Sequence, residues 1–162
     1  MICESGITRG IAGRLLALCC FLLLAAAPLW PQNSPPAAFS LDEASALIGL
    51  KLDELAARFG LPQTVYASRG QETWQDDVVF VYGVGEFYIF KDRVWQVSLK
   101  TAGGIALGDP KAAVTLTLGE TAEDNGAYVL FPLPPVGWPL TLRVNFNPAG
   151  SVSAIFIYRP DF

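Results

Sequence analysis

The side chains that enzymes most often use for catalysis are scarce in this sequence. It contains no histidine, and its three cysteines, Cys3, Cys19 and Cys20, all lie within the first twenty residues. The usual general base, the thiol nucleophile and the commonest metal ligands are therefore missing from the rest of the chain. No Gly-x-Ser-x-Gly elbow, P-loop or dinucleotide-binding motif occurs. We therefore expect a protein that is not an enzyme and that uses no cofactor.

Adjacent acidic residues are the remaining candidates for acid–base chemistry or calcium binding. Such pairs occur at positions 42–43, 53–54, 76–77 and 123–124. Neighbouring carboxylates point apart on a helix or a strand, and the chain has no D-x-D-x-D-G calcium loop. We interpret these pairs as helix N-terminal charges or solvated loop residues, and we expect no metal site.

Large amphipathic aromatic side chains are more informative, because Trp, Tyr and Arg are enriched in binding hot spots. The set comprises Trp74, Tyr82, Tyr88, Trp95, Tyr128, Trp138 and Tyr158. Two interpretations are open: either most of these rings complete the core, or some of them form a binding surface. Trp138 lies in a loop stiffened by prolines, residues 132–139, where a lid on the sheet edge is favoured over an exposed anchor.

Alternation along two predicted strands places polar side chains on one face of a sheet. In residues 140–146, apolar positions alternate with Thr141, Arg143 and Asn145. In residues 94–100, the residues expected to face the helices are Trp95, Val97 and Leu99. The candidate binding residues are Arg143, Asn145, Gln96, Ser98 and Lys100 on the free face, with Tyr82 and Tyr88 as further members, and Trp138 from the proline-rich loop.

The order of predicted elements indicates an α+β protein. Ser40 and Glu43 form a capping box that starts a helix over residues 40–48, and a second helix is expected over residues 51–59, ending at Gly60. The apolar face of the second helix comprises Leu52, Leu55, Ala56 and Phe59. Strands are expected at residues 78–82, 86–90, 94–100, 127–131, 140–146 and 152–158. The prediction is an antiparallel sheet with short helices packed on one face.

The segment 105–121 fits two structures. Residues 114–118 alternate like a strand, whereas Asp109 and Pro110 are typical of a helix start, as N-cap and first helical residue. The glycines at positions 49 and 60 and those at positions 108 and 119 have the same separation, with an apolar residue at the same place between them. This spacing favours a helix over residues 110–118 that repeats the helix over 51–59, and a strand is the alternative.

Two units, each with a glycine-bounded helix followed by three strands, resemble the β-lactamase-inhibitor-protein-like fold. The shared pattern is G-x5-V/L-x3-L/F-G, and the resemblance covers about residues 46–160. A single unit is similar to the small outer-membrane assembly lipoproteins of the SmpA/OmlA (BamE) type. The resemblance implies tandem units, residues 40–100 and 101–162, that form one globular domain. It implies no activity by itself, and the disulfides of the inhibitor proteins are not expected here.

The first 27 residues predict a secretory signal peptide. Arg9 and Arg14 precede an apolar run over residues 15–27, which Pro28 ends short of the roughly 20 residues that a membrane span needs. An uncleaved anchor is the alternative, and lipidation at positions 19 or 20 is disfavoured because the apolar run continues beyond them. Residues 28–39 predict a proline-rich tether, so we expect the mature N-terminus to lie between residues 26 and 39.

Charge and composition narrow the class of partner. The chain has 11 basic and 15 acidic residues without a basic cluster, which argues against nucleic acid. Contact with a membrane is expected only through an uncleaved or lipidated N-terminus. We expect an exported module, periplasmic or extracellular, that binds another envelope or secreted protein without catalysis. A small-ligand carrier that uses the aromatic face and a structural or assembly component of the outer membrane are the alternatives.

Overall fold

Three short helices and ten strands make up the described part of the chain. The computed structural model describes residues 38–69 and 76–162, so the predicted signal peptide, most of the predicted tether and Trp74 lie outside the described residues. The helices are α1 (Leu41–Ser45), α2 (Leu52–Phe59) and α3 (Lys111–Leu118), and none of them is long and apolar enough to cross a membrane. The strands are β1 (Thr64–Ser68), β2 (Asp77–Tyr82), β3 (Gly85–Phe90), β4 (Arg93–Leu99), β5 (Thr101–Ala102), β6 (Ile105–Ala106), β7 (Glu123–Asp124), β8 (Tyr128–Leu133), β9 (Leu140–Phe146) and β10 (Val152–Tyr158).

Eight of these strands form one antiparallel sheet, which confirms the predicted α+β class. The strand order is β1-β2-β3-β4-β10-β9-β8-β7, and the two halves of the sheet meet where β4 pairs with β10. Each half follows the same order along the chain, a helix and then four strands, with α2 before β1–β4 and α3 before β7–β10. The short strands β5 and β6 pair with each other in a separate hairpin between the two halves.

The prediction of three strands in each half missed the strand at each edge of the sheet. Most residues of β1 are exposed, and β7 consists of the exposed pair Glu123 and Asp124. A strand without a buried face shows no alternation of apolar and polar residues, because no side chain in it has to face a core. Backbone pairing with β2 and with β8 is what defines these two strands.

The same backbone contacts hold α2 and α3 to the sheet. Gly49 donates its N–H to the carbonyl of Val94 at 2.7 Å, and Gly108 donates to the carbonyl of Val152 at 2.8 Å. The same two strand residues donate back to the residue after each glycine, at 2.9 and 2.8 Å. Both glycines have a φ near +90°, which residues with a side chain rarely adopt. Residues 110–118 therefore contain the helix that the glycine spacing predicts and not the alternative strand.

Asp109 does not cap α3, and that part of the prediction is wrong. Pro110 occupies the N-cap position with extended backbone angles, so the helix begins one residue later than expected. The Asp109 carboxylate accepts a hydrogen bond from the backbone N–H of Ala106 at 2.8 Å. The acidic side chain thus ties the β5–β6 hairpin to the start of α3 instead of satisfying the first turn of the helix.

The capping box at the start of α1 is confirmed. The Ser40 hydroxyl accepts a hydrogen bond from the Glu43 N–H at 3.2 Å, and the Glu43 carboxylate accepts one from the Ser40 N–H at 2.9 Å. The helix itself ends at Ser45, and a turn continues to Gly49 where the sequence predicted helix up to residue 48.

One face of the sheet packs against the helices and contains the core. The side chains that are completely or almost completely buried include Leu55 of α2, Val114 of α3 and the strand residues Phe87, Val97, Leu142, Ile155 and Ile157. On α2, Phe59 is half-buried, whereas Leu52 and Ala56 are exposed. The apolar face predicted for α2 is therefore too wide, and Leu55 is its main contact with the core.

We expect Leu55→Ala and Val114→Ala each to lower the free energy of unfolding, because each leaves a cavity between a helix and the sheet. The loss should be about 2–5 kcal/mol for Leu55 and smaller for Val114, which has the shorter side chain. Denaturant unfolding measures both. Leu116→Ala is the matched control, since Leu116 is 88% exposed on α3, and it should change stability by less than about 0.5 kcal/mol. Unchanged stability of Val114→Ala would contradict equivalent roles for α2 and α3.

Candidate functional site

The sheet face opposite the helices carries polar and aromatic side chains and is here termed the open face. It comprises Tyr88, Gln96, Ser98, Tyr128, Arg143, Asn145, Phe156 and Tyr158, all of them partly exposed. On β9, Leu142 and Val144 are fully buried, so Arg143 and Asn145 project from the opposite side, as the alternation predicted. The register places Phe156 directly between Ser98 on β4 and Arg143 on β9.

Trp95 lies on the open face, which contradicts its predicted position beside Val97 and Leu99. The register between β3 and β4 shifts after Tyr88, so that Tyr88 pairs with Gln96 and Ile89 pairs with Val94. Trp95 is the extra residue of this β-bulge, and a bulge redirects a side chain that simple alternation would place inside. Its indole Nε1 donates to the Asp77 carboxylate at 2.9 Å. The ring centroid is 6.5 Å from that of Tyr88.

Tyr88 and Tyr82 lie on opposite faces of the sheet. Tyr88 belongs to the open face, where its hydroxyl donates to the Glu86 carboxylate at 3.1 Å. Tyr82 is buried on the helix side, with its ring centroid 5.5 Å from Phe59 and 5.3 Å from Phe87. Since Tyr82 pairs with Gly85 across the hairpin, it shares the face of Gly85 and Phe87 and not that of Tyr88. Tyr82 is therefore a core residue and not a member of the open face.

Trp138 and Lys100, the remaining predicted binding residues, do not line the cleft that the open face contains. The Trp138 ring nevertheless lies 4.5 Å from the guanidinium carbon of Arg159, which does line it. Trp138 is half-buried and packs against the core close to Gly49, where a side chain would collide with its ring. This is the lid that the sequence favoured, although the buried indole N–H has no hydrogen-bond partner among the residues that the structure describes. Lys100 is exposed one residue beyond the end of β4.

A cleft of about 410 Å³ lies on the open face over the central strands. Its lining comes from β4, β9, β10 and the segment after β10, and consists of Trp95, Gln96, Arg143, Asn145, Phe156, Tyr158, Arg159, Pro160 and Phe162. Three of the predicted binding residues, Gln96, Arg143 and Asn145, therefore meet in one place, while Ser98 and Tyr88 lie on the adjoining surface. Aromatic walls around two guanidinium groups can bind an anion next to an apolar or aromatic group.

Arg143 is fixed in orientation by Asn145 and Tyr128. Its Nε donates to the Asn145 side-chain oxygen at 2.8 Å, and its guanidinium carbon is 4.1 Å from the centre of the Tyr128 ring. Tyr128 is held in turn by a 2.9 Å hydrogen bond from its hydroxyl to Glu123. Within residues 38–69 and 76–162, Arg143 forms no ion pair. The terminal nitrogens of Arg143 are thus positioned for an acceptor that the described residues do not supply.

Residues 159–162, here termed the 159–162 segment, cover one end of the cleft. Arg159 donates to both carboxylate oxygens of Asp161, at 3.2 and 3.0 Å. The Phe162 ring stacks on Trp95 with centroids 5.3 Å apart and an angle of 11° between the planes. It also meets Phe90 edge to face at 5.0 Å. Sequence reasoning missed this segment because it follows the last strand and shows no periodicity.

Acidic groups near the cleft already have partners. Glu86 accepts hydrogen bonds from the hydroxyls of both Tyr66 and Tyr88, at 3.2 and 3.1 Å. Burial and the nearby Glu86 charge raise the pKa of Tyr88, so this hydroxyl stays protonated at neutral pH. Burial also raises the pKa of Asp77, while the Trp95 N–H opposes that shift. No group of three or more His, Cys, Asp or Glu side chains among the described residues is arranged to hold a metal ion.

Comparison with known proteins shows a likeness in fold only. No family model matches the chain, and no curated protein matches it. Among solved structures it is similar to an extracellular protein containing an SCP domain from Bacillus anthracis str. Ames, with a TM-score of 0.50 and 11% sequence identity. The match covers 82% of this chain and 51% of that protein, so the chain spans about half the length of this neighbour.

We expect acid to release the 159–162 segment from the sheet. The hydrogen bonds from Arg159 hold the pKa of Asp161 below its ordinary value of 3.8. A carboxylate with a lowered pKa stabilises its contact above the ordinary value, and this contribution is lost as the pH falls through the lowered value. Asp161→Asn should loosen the segment already at neutral pH, whereas Asp53→Asn, at an exposed position on α2, should not. NMR relaxation of the Phe162 amide measures this, and a segment that stays equally rigid in Asp161→Asn would refute the role of the ion pair.

Proposed function

We propose that this protein is an exported, non-enzymatic module that binds another protein of the cell envelope, or a secreted protein, through its open face. One observation carries the proposal: the Arg143 guanidinium is held in place over Tyr128 beside an aromatic cleft, and no carboxylate of the described residues pairs with it. Tyr, Trp and Arg in a rigid arrangement are the side chains that dominate binding energy in protein interfaces.

The dimensions of the open face support a protein as the partner. Eight strands about 4.8 Å apart, with central strands of seven residues, give a face of roughly 600–800 Å². One partner in a standard protein interface contributes about 800 Å². The match in size favours a folded protein surface over a partner that contacts only a few side chains.

A binding role without catalysis is supported by the state of the ionisable groups around the cleft. Glu86 accepts two tyrosine hydroxyl groups, and Asp77 accepts the Trp95 indole N–H. General acid–base catalysis needs a group that can exchange a proton with a substrate near neutral pH. The carboxylates are committed to neighbouring donors, and the raised pKa of Tyr88 keeps its hydroxyl protonated there.

Export is supported by the leader pattern of the first 27 residues. The structural neighbour is itself described as an extracellular protein, which is compatible with this location. We further propose that the two halves of the fold are copies of one unit, related to the β-lactamase-inhibitor-protein-like fold. The matching glycine contacts before α2 and α3 support this relationship.

A small-ligand carrier is the second candidate, because the cleft volume of about 410 Å³ falls within the usual range for ligand pockets, about 300–1,000 Å³. Such a carrier would show ligand-dependent melting with a small molecule. A protein-binding module would instead give a specific crosslink to another protein.

We expect a photo-crosslinking residue at Ser98, on the open face, to capture one specific protein in envelope extract of the source cell. The same residue at Ala57, exposed on α2, should not. Arg143→Glu should lower the Ser98 crosslink about tenfold, because the reversed charge would repel the partner's anionic group. Arg58→Glu, on α2, is the matched control and should leave the crosslink unchanged.

Circular dichroism decides whether the Arg143→Glu result concerns binding or folding. We expect this variant to melt close to the wild type, because Arg143 is only half-buried. An unchanged crosslink in folded Arg143→Glu would contradict binding through the open face, as would capture from Ala57 alone.

A further inference from the structure

The two arginines of the cleft differ in whether they already hold an anion. Arg159 makes a two-bond ion pair with Asp161, so its charge is neutralised within the chain. Arg143 uses Nε for Asn145 and its flat face for Tyr128. Its two terminal nitrogens, with four N–H groups, have no acceptor among the described residues. An arginine whose side-chain rotamer is already fixed loses little further conformational entropy when an anion binds.

The 159–162 segment shows which chemistry this surface accepts. It places the carboxylate of Asp161 on a guanidinium and, one residue further, lays the Phe162 ring flat on Trp95. An acidic residue beside an aromatic residue therefore satisfies one end of the cleft. At the other end, Arg143 offers a second guanidinium, and Phe156 and Tyr158 offer further aromatic surface.

The local charges select the kind of anion. Two carboxylates place negative charge near the cleft: Asp161 forms an ion pair with Arg159, and Glu123 accepts a hydrogen bond from Tyr128, the ring that Arg143 contacts. The whole chain carries a net charge of −4. A phosphate group, with about two negative charges, would be repelled more strongly here than a single carboxylate. An anionic membrane surface needs several clustered Lys or Arg residues, and Arg143 is the one unpaired cation that lines the cleft in the described structure. The planar carboxylate also matches the fork of the terminal nitrogens.

We infer that the partner protein inserts an exposed loop in which Asp or Glu stands next to an aromatic residue, and that its carboxylate binds the terminal nitrogens of Arg143. The aromatic side chain of the loop then packs on Phe156 and Tyr158. This inference rests on the proposed protein-binding function and names the chemistry of the loop that the cleft recognises. It makes Arg143 the residue that determines specificity for a carboxylate over its neutral amide.

A set of three blocked hexapeptides tests this inference on the complete mature protein. The probe peptide is Gly-Ser-Asp-Phe-Ser-Gly, and the two comparison peptides replace Asp by Asn or Phe by Ala. Chemical shifts of the Arg143 and Trp95 side-chain N–H groups report binding at the cleft. The probe should bind about tenfold more tightly than the Asn peptide, as expected for a charge-assisted hydrogen bond, and more tightly than the Ala peptide.

Variants of this chain assign the preference to one residue. Arg143→Gln should make the Asp and Asn peptides bind equally, whereas Arg58→Gln, which removes the same charge from the helix side, should keep the tenfold preference. Arg143→Lys should keep only part of it, because lysine has the charge without the planar fork. The preference should shrink at high salt, since part of the cleft is open to solvent.

Two results would overturn the inference: equal binding of the Asp and Asn peptides to the wild type, or a preference that survives in Arg143→Gln. Either result would leave the proposed function intact if Ser98 still crosslinks to a protein. If instead the peptides behave as expected but no protein is crosslinked, the carboxylate site exists, but the inference that a loop of a partner protein occupies it is wrong. The peptide series and the crosslinking experiment therefore fail independently.

Discussion

Strands β4 and β10 pair in antiparallel fashion at the middle of the sheet, and this pairing joins the two halves of the described chain into one layer. It also decides which side chains become neighbours. Residues that are far apart in the sequence, such as Ser98 and Phe156, lie directly opposite each other because of it. Arg143 on β9 is then one strand away. The cleft exists only because these strands are adjacent, so the candidate site depends on the same contact as the fold.

Unequal coverage of the two faces follows from the small number of helices. A sheet of eight strands exposes two large surfaces, and the described part of the chain has three helices of five to eight residues to cover them. The helices pack on one face, where Leu55 and Val114 are buried. The other face must be stable in contact with water, which explains why its strands alternate with Gln, Ser, Asn and Arg. Aromatic rings on that face gain stability from each other and from arginine, as in the contact of Arg143 with Tyr128.

The sequence predicted those parts of the structure that are determined by periodicity and by glycine spacing. Alternation in residues 140–146 correctly placed Arg143 on the free face, and the glycine spacing correctly predicted a helix at α3. Alternation failed at Trp95, because a β-bulge adds one residue to β4. As a result, Trp95 and Gln96 both lie on the open face. The placement of Tyr82 among the binding residues was also wrong, because its face depends on its pairing with Gly85 in the hairpin, a register that the sequence does not fix. The contact of Phe162 with Trp95 depends on tertiary structure, for which the four residues after β10 give no signal.

Hydroxyl-radical footprinting of the free protein and of its complex tests most directly whether the open face is the binding face. Tyr128 and Tyr158 report on the open face, and Leu116, exposed on α3, reports on the helix side. The account predicts that both tyrosines are oxidised in the free protein and protected in the complex, while Leu116 is oxidised equally in both. Protection of Leu116 with unchanged oxidation of the tyrosines would place the partner on the helices and contradict the account.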